Sequence, residues 1–184
     1  MNICVYGASS DSIAEAYKLA AHRLGELIAE RGHTMIYGGG ARGLMGAAAR
    51  GVLQPGGRLI GVAPRFFQPD GVLMEGCTEF IFTDTMRERK RIMDERADAF
   101  IVMPGGIGTF DEFFETLTLC KLGQSKKPIA LLNTDGYYGK IAELLQHTAD
   151  CGFMSEDTML LYGSFETPEL TVRYLEQKAA LSSQ

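Results

Sequence analysis

The sequence predicts one α/β domain over residues 1–184, a doubly wound (Rossmann-like), mostly parallel sheet with helices on both faces. Apolar runs of strand length alternate along the chain with longer segments of helical periodicity. Several of the short runs are apolar throughout, as in strands that helices cover on both faces. A chain of 184 residues with 46% hydrophobic and 22% charged residues also fits one globular domain.

The predicted strands are residues 2–6, 34–37, 59–63, 80–82, 99–103 and 129–132. The first helix extends from about Ser12 to Arg31, and Gly32 is its stop signal. Residues 64–76 form a loop within the domain, residues 167–181 form a final helix, and residues 182–184 form a ragged tail. Ligands of such sheets bind beyond the carboxyl ends of the strands, so the functional residues are expected in the loops there.

Charge and hydropathy patterning exclude several classes of partner. A net charge of -5 gives no general basic field, so we expect no nucleic-acid partner, whereas a small anion needs only one local site. The apolar runs are too short to cross a bilayer, and we expect no membrane partner. Residues 1–6 begin directly with a strand and carry no secretory signal, so we expect a cytoplasmic protein.

Cysteine and histidine residues predict neither a metal site nor a redox site. The four cysteines are widely spaced, form no Cys-x-x-Cys pair and have no histidine at ligand spacing. The three histidines are isolated from one another as well. We expect reduced thiols that pack as small apolar groups, and no metal.

A first glycine-rich loop covers residues 38–46, after a strand and before a helix, where backbone N–H groups can approach an anion. It contains G-x-G-x-x-G at Gly38, Gly40 and Gly43, which leaves a dinucleotide-binding interpretation open. Such a site expects the motif in the first strand–helix turn, and here that turn holds Ser9 instead. A purely structural role for the glycines, in a tight turn and close helix packing, is the other alternative.

A second glycine-rich loop, Pro104-Gly-Gly-Ile-Gly-Thr109, follows the predicted strand 99–103. Thr109 is placed to cap the next helix, whose N-terminus would then suit a phosphate. The loop has no Gly-Lys-Ser/Thr ending, so it is not a triphosphate-binding P-loop. Two anion-binding loops without a triphosphate signature indicate a monophosphate ligand.

Two charged segments are candidates for chemistry. Glu112 lies three residues after Thr109, so it is either part of a capping box or a carboxylate beside a bound sugar phosphate, with Glu115 on the same side of the helix. In the helical segment Met86–Met93, one interpretation is a methionine stripe on the core with the basic residues in solvent. Because that helix starts at the same sheet end as the glycine loops, its Arg89 or Lys90 is alternatively a ligand of phosphate or base.

Together these segments resemble the LONELY GUY family of cytokinin riboside 5′-monophosphate phosphoribohydrolases, whose members often carry a lysine decarboxylase label. The pattern P-G-G-x-G-T-x-x-E occurs at residues 104–112 and M-x-x-R-K-x-x-M at residues 86–93. The resemblance implies Arg89 and Glu112 as the catalytic pair. It implies substrate-binding roles for Ser9, Gly39, Gly40, Met86, Lys90, Gly105, Gly106, Gly108, Thr109 and Glu115.

The implied reaction is hydrolysis of AMP, or of an N6-substituted AMP, to the free base and ribose 5-phosphate, without metal or organic cofactor, by a homodimer. The chain departs from the family at Arg87, where a histidine is frequent, and at Leu119, where a tryptophan is usual, which affects base preference and dimer contacts. A non-enzymatic carrier of a phosphorylated ligand, such as a molybdenum cofactor carrier, resembles this family in its glycine loops. A decarboxylase is disfavoured because no lysine lies in a recognisable pyridoxal phosphate context.

Overall fold

A computed structural model describes residues 1–182 of the protein and contains one seven-stranded sheet in which every paired strand is parallel. The strands are β1 (Asn2–Tyr6), β2 (Thr34–Tyr37), β3 (Arg58–Pro64), β4 (Glu79–Thr83), β5 (Ala99–Val102), β6 (Ile129–Leu132) and β7 (Tyr162–Phe165). Their order across the sheet is β4-β3-β2-β1-β5-β6-β7. The predicted doubly wound fold is confirmed, with β7 as an additional edge strand.

The helices are α1 (Glu15–Glu30), α2 (Gly43–Leu53), α3 (Met86–Arg96), α4 (Ile107–Lys121), α5 (Gly139–Asp150) and α6 (Pro168–Ser182). Helix α1 starts three residues later than predicted, because the Ser12 N–H donates to the Ser10 hydroxyl at 3.3 Å in a local turn and Ala14 is extended. Ser182 ends α6 instead of starting a tail, and residues 183 and 184 lie outside the described residues. In residues 1–182, no helix combines the length and apolar character needed to cross a membrane.

Each face of the sheet packs against its own set of helices, which explains why the strands are apolar throughout. In β1, Ile3 and Val5 join the core cluster that includes residues of α1, α2 and α6. Their neighbours Cys4 and Tyr6 point to the opposite cluster, which includes residues of α3, α4 and α5. Because successive strand residues alternate between faces, burial of both faces requires apolar residues at every position.

Helices α1 and α2 are in backbone contact on one face of the sheet. A Cβ atom at Gly25 would lie 2.0 Å from the Ala48 carbonyl oxygen, and one at Gly51 would lie 2.1 Å from the His22 carbonyl oxygen. Only residues without a side chain permit so close an approach. The two helices are thereby fixed relative to each other.

The predicted loop 64–76 contains a 3₁₀ turn (Arg65–Asp70) and a short segment, residues 72–74, that we call the strap. The strap pairs antiparallel with the first glycine loop: the Ala41 N–H donates to the Val72 carbonyl and the Met74 N–H to the Gly39 carbonyl, each at 2.8 Å. This pairing holds the strap over the carboxyl ends of the central strands.

Strand order reverses between β1 and β5, since the chain adds strands on one side of β1 up to β4 and on the other side from β5 onward. Loops diverge at such a switch point and leave a crevice beyond the strand ends. The loops after β1, β2 and β5 therefore border one crevice.

Candidate active site

A cavity of about 590 Å³ occupies this crevice. It is bordered by the loops after β1, β2 and β5, the first turns of α3 and α4, and part of the strap. Most of the predicted site residues line it, namely Ser9, Gly40, Met86, Arg89, Lys90, Gly106, Gly108, Thr109 and Glu112. The other three, Gly39, Gly105 and Glu115, lie outside its lining.

Arg89 and Glu112 meet in the wall of this cavity. The Arg89 Nη1 donates to Glu112 Oε1 at 2.8 Å, and its Nε donates to the Val62 carbonyl at 3.2 Å. Only 8% of Arg89 and 9% of Glu112 is exposed. An ion pair so far removed from water has a well-defined geometry, and here it borders a cavity rather than the packed core.

The start of α3 is stabilised by a side-chain cap that positions Arg89. The Thr85 hydroxyl accepts from the Glu88 N–H at 3.1 Å, and the Glu88 carboxylate accepts from the Asp84 N–H at 2.9 Å. One turn later Arg89 and Met93 form the buried side of the helix, while Met86 lies half exposed at the cavity. The predicted methionine stripe is thus divided between core and cavity.

Thr109 and Glu112 do not form a capping box, contrary to one of the two interpretations of the sequence. The N-cap of α4 is Gly106, which makes Thr109 the third helical residue and not the cap. Glu112 lies one turn further along and pairs with Arg89. A related arrangement occurs at the N-cap Thr85, where Glu88 accepts from the N–H of the preceding residue, Asp84, and not from that of Thr85.

Burial raises the pKa of Glu112, and the charge of Arg89 acts in the opposite direction. The balance is a pKa above the ordinary glutamate value. A carboxylate of this kind exchanges protons more readily near neutral pH than an exposed one, which suits general acid–base chemistry.

The N-terminus of α4 faces the same cavity with backbone amides. Gly106 provides no side-chain cap, no acidic residue lies in the first turn, and the first intrahelical bond is from the Phe110 N–H to the Gly106 carbonyl at 3.0 Å. The N–H groups of the first helical residues, Ile107 to Thr109, precede that bond and have no acceptor within the helix. This is the geometry of a phosphate-binding helix terminus.

The first glycine loop differs from this, because the helix that follows it has its amides occupied. The Gly43 N–H donates to Asp11 Oδ1 at 2.9 Å, and the Leu44 and Met45 N–H groups both donate to the Ala8 carbonyl, at 2.9 and 3.2 Å. The Asp11 carboxylate also repels an anion. In the described part of the chain, α4 rather than α2 is therefore the helix that offers its N-terminus to a phosphate.

Known proteins are similar in sequence to this chain over most of its length. Residues 45–175 match the family model described as "Possible lysine decarboxylase". The cytokinin riboside 5'-monophosphate phosphoribohydrolase LOG of Oryza sativa subsp. japonica is 39% identical over 175 residues, which cover 95% of this chain and 72% of the relative. The chain belongs to the LONELY GUY family.

A bacterial relative lies at a similar distance. The cytokinin riboside 5'-monophosphate phosphoribohydrolase of Mycobacterium tuberculosis is 41% identical over 157 residues, or 85% of this chain and 83% of that protein. Among solved structures, the Moco carrier protein from Chlamydomonas reinhardtii is similar with a TM-score of 0.72 at 26% identity, over 97% of each chain. The family assignment that the motifs predicted is confirmed, and the fold is shared more widely than the family.

In this LONELY GUY protein part of the cavity lining consists of apolar side chains, which we call the apolar wall. Phe67, Val72 and Leu73 form it together with Met45 and Met86. No local pattern in the sequence singled out Val72 or Leu73, because the strap reaches the site only by pairing with a distant loop. Phe67 lies in the 3₁₀ turn before the strap and was not predicted either. An apolar wall of this size suits the flat face of a nucleobase.

Lys90 links the cavity to an acidic pair on α4. Its Nζ contacts Asp111 Oδ2 at 3.0 Å and also pairs with Glu115. These two carboxylates raise the Lys90 pKa, the hydrogen bond to Glu115 most strongly. Asp111 lines the cavity although no feature of the sequence singled it out, whereas Glu115 lines a separate cavity of about 390 Å³. Glu115 thus reaches the site only through Lys90.

Two glycines near the cavity leave space for neighbouring side chains. A Cβ atom at Gly105 would lie 2.1 Å from Thr109 Oγ1, so Gly105 allows the Thr109 hydroxyl to approach the loop. Gly39 has a left-handed φ of 76° and packs on the ring of Phe80.

Within residues 1–182, no group of three or more His, Cys, Asp or Glu side chains is arranged to hold a metal ion.

Proposed function

We propose that the protein hydrolyses the N-glycosidic bond of adenosine 5′-monophosphates, including N6-substituted ones, to the free base and ribose 5-phosphate. The observation that carries this proposal is the buried Arg89–Glu112 pair, which lies in one cavity with the amides of α4 and the apolar wall. In a nucleoside monophosphate, the α4 amides match the phosphate, the Arg89–Glu112 pair matches the sugar, and the apolar wall matches the base. The names of the relatives in rice and M. tuberculosis support the same activity.

In the proposed reaction the phosphate binds at the start of α4 and the base lies on the apolar wall. A water oxygen bonds to C1′ while the C1′–N9 bond breaks and its electron pair leaves with the base. Glu112 stabilises the positive charge that develops on the sugar and accepts a proton from the water. Arg89 stabilises the electron-rich base, which then takes up the proton that Glu112 accepted, so Glu112 returns to its carboxylate form. The products are one base and one ribose 5-phosphate per water consumed.

A non-enzymatic carrier is the second candidate, because the C. reinhardtii carrier protein has a similar fold. A carrier needs an anion-binding loop but has no use for a buried Arg89–Glu112 pair beside it. Incubation with AMP or isopentenyl-AMP, followed by chromatography of the free base, separates the two candidates. Release of base at a rate proportional to protein concentration is expected; binding without release of base would favour the carrier.

Adenosine is the matched control substrate, since it lacks only the phosphate. Without the charge that α4 attracts, we expect adenosine to be hydrolysed at least about 10²-fold less efficiently than AMP. Equal efficiency would remove the phosphate-binding role of α4.

The homodimer and the cytoplasmic location belong to the same proposal. The family resemblance supports the dimer, and exposed apolar side chains such as Phe153 and Leu160 are available to an interface. Light scattering coupled to size-exclusion chromatography tests the dimer, and cell fractionation tests the location.

A further inference from the structure

The guanidinium group of Arg89 is enclosed on three sides. Its Nε donates to the Val62 carbonyl at 3.2 Å and its Nη1 to Glu112 at 2.8 Å. Its remaining nitrogen, Nη2, lies against Gly38, the first residue after β2. The position of the guanidinium group is therefore determined by Val62 in β3, Glu112 in α4 and Gly38.

Gly38 has no room for a side chain, and the obstacle is Arg89 itself. A Cβ atom at residue 38 would lie 2.3 Å from Arg89 Nη2 and 3.3 Å from its Cζ. Carbon and nitrogen atoms in van der Waals contact are about 3.5 Å apart, so these positions exclude each other. The next nearest atom, Met45 Sδ, is 3.4 Å away and demands little movement.

Backbone conformation does not account for the glycine at this position. The glycines with left-handed φ include the neighbouring Gly39 and Gly43 but not Gly38. An alanine at residue 38 is thus compatible with the main chain, and it conflicts only with the position of the guanidinium group. Substitution at residue 38 therefore tests space alone.

The guanidinium group is the part that would move. It is the end of a long side chain, whereas residue 38 directly follows a central strand of the sheet. Displacement of the guanidinium group by about 1 Å weakens its hydrogen bonds to Val62 and Glu112. Misplacement of that size reduces catalysis by about 10²-fold. The phosphate site on α4 is not part of this contact and stays intact.

We propose that Gly38 is a positioning residue. Because it has no side chain, it leaves the space that the Arg89 guanidinium group occupies, and we call this space the seat. Its consequence for turnover rests on the proposed hydrolase function, whereas the seat is a property of the fold. The first glycine of the loop then serves a cation of the protein and not an anion of the substrate.

The variant Gly38→Ala tests the seat. We expect kcat for AMP to fall about 10²-fold while KM changes by less than about threefold. The acid limb of the pH–rate profile should move to higher pH, because a displaced Arg89 no longer lowers the pKa of Glu112. Unchanged kcat and an unchanged acid limb would overturn the proposal.

Gly163→Ala is the matched control for a steric conflict elsewhere. A Cβ atom there would lie 2.5 Å from the Phe165 ring, on the edge strand β7 and outside the lining of the cavity. It should lower the urea midpoint of unfolding but leave kcat and the acid limb at wild-type values. If Gly163→Ala altered both as Gly38→Ala does, the effect would be a general loss of packing and the seat would be refuted.

A double-mutant cycle with Arg89→Ala completes the test. Arg89→Ala removes the guanidinium group, so adding Gly38→Ala in that background should change neither kcat nor the urea midpoint of unfolding. Equal losses in both backgrounds would refute the seat. If Gly38→Ala alone fails to fold, recovery of folding in the double variant supports the seat, and failure of the double variant overturns it. If the wild type releases no base, the proposed function fails, and the unfolding cycle still decides on the seat.

Discussion

Replacement of Glu112 by glutamine is the sharpest test of the proposed chemistry. The change keeps the shape of the side chain and an oxygen for Arg89 Nη1, which now lies 2.8 Å from Oε1. It removes the negative charge and the ability to accept a proton. Because the neutral amide still fills a side-chain site of which only 9% is exposed, the cavity keeps its form.

The expected loss follows from the role assigned to the carboxylate. General acid–base catalysis by one positioned group contributes about 10²- to 10⁴-fold to a rate. At about 1.4 kcal/mol for each factor of ten, the transition state loses about 3 to 5 kcal/mol of stabilisation. In the proposed binding mode the α4 amides and the apolar wall hold AMP, so the dissociation constant should change by less than about tenfold.

The assay follows free adenine from AMP by chromatography, with the dissociation constant measured by calorimetry on the same samples. Glu143→Gln is the control for loss of one charge, since Glu143 is exposed on α5 and pairs only with Lys140 in the described structure. That control should retain wild-type turnover. If Glu112→Gln folded normally and turned over AMP at close to the wild-type rate, Glu112 would be no more than the structural partner of Arg89.

Four further predictions concern pH and stability. Because burial raises the Glu112 pKa, kcat/KM should fall on the acid side with a midpoint above the ordinary glutamate value of about 4.3; a midpoint at or below that value contradicts the assignment. The same raised pKa gives a stabilisation that is full below the ordinary value and lost as pH rises through the folded value, so urea unfolding of Glu112→Gln should lack this pH dependence. Thr85→Ala removes the cap of α3 and should lower the free energy of unfolding by about 1 kcal/mol, whereas no change would remove the cap from the account of Arg89. Gly25→Ala forces α1 off α2 and should destabilise by about 1 to 3 kcal/mol, against no loss for Gly139→Ala, where nothing lies within 4 Å.

The sheet was largely predictable because each of its central strands is apolar on both faces, a local property that the sequence displays directly. Strand β7 escaped prediction because Gly163 and Ser164 interrupt its apolar pattern at the edge of the sheet. The start of α1 was misplaced because the Ser10 hydroxyl competes for the Ser12 amide, and several hydroxyls nearby offered equivalent caps.

For the site, the family resemblance implied Arg89 and Glu112 as a pair, and the two side chains are in contact in the structure. Their spacing could not show whether Glu112 caps a helix, since that depends on the helix starting at Ile107 and not at Phe110. Occupation of the α2 amides by Asp11 was equally hidden, because it joins two loops 32 residues apart. Long-range contacts of this kind determine which of two similar glycine loops is open to an anion.

The backbone contact between α1 and α2 has a consequence for how a ligand enters. Gly25 and Gly51 lock the two helices together, and Asp11 ties the turn before one helix to the first residue of the other. This side of the crevice therefore behaves as one stiff block that moves as a whole or not at all. Admission of a nucleotide and departure of its base must then depend on the opposite side, where residues 65–71 connect β3 to the strap.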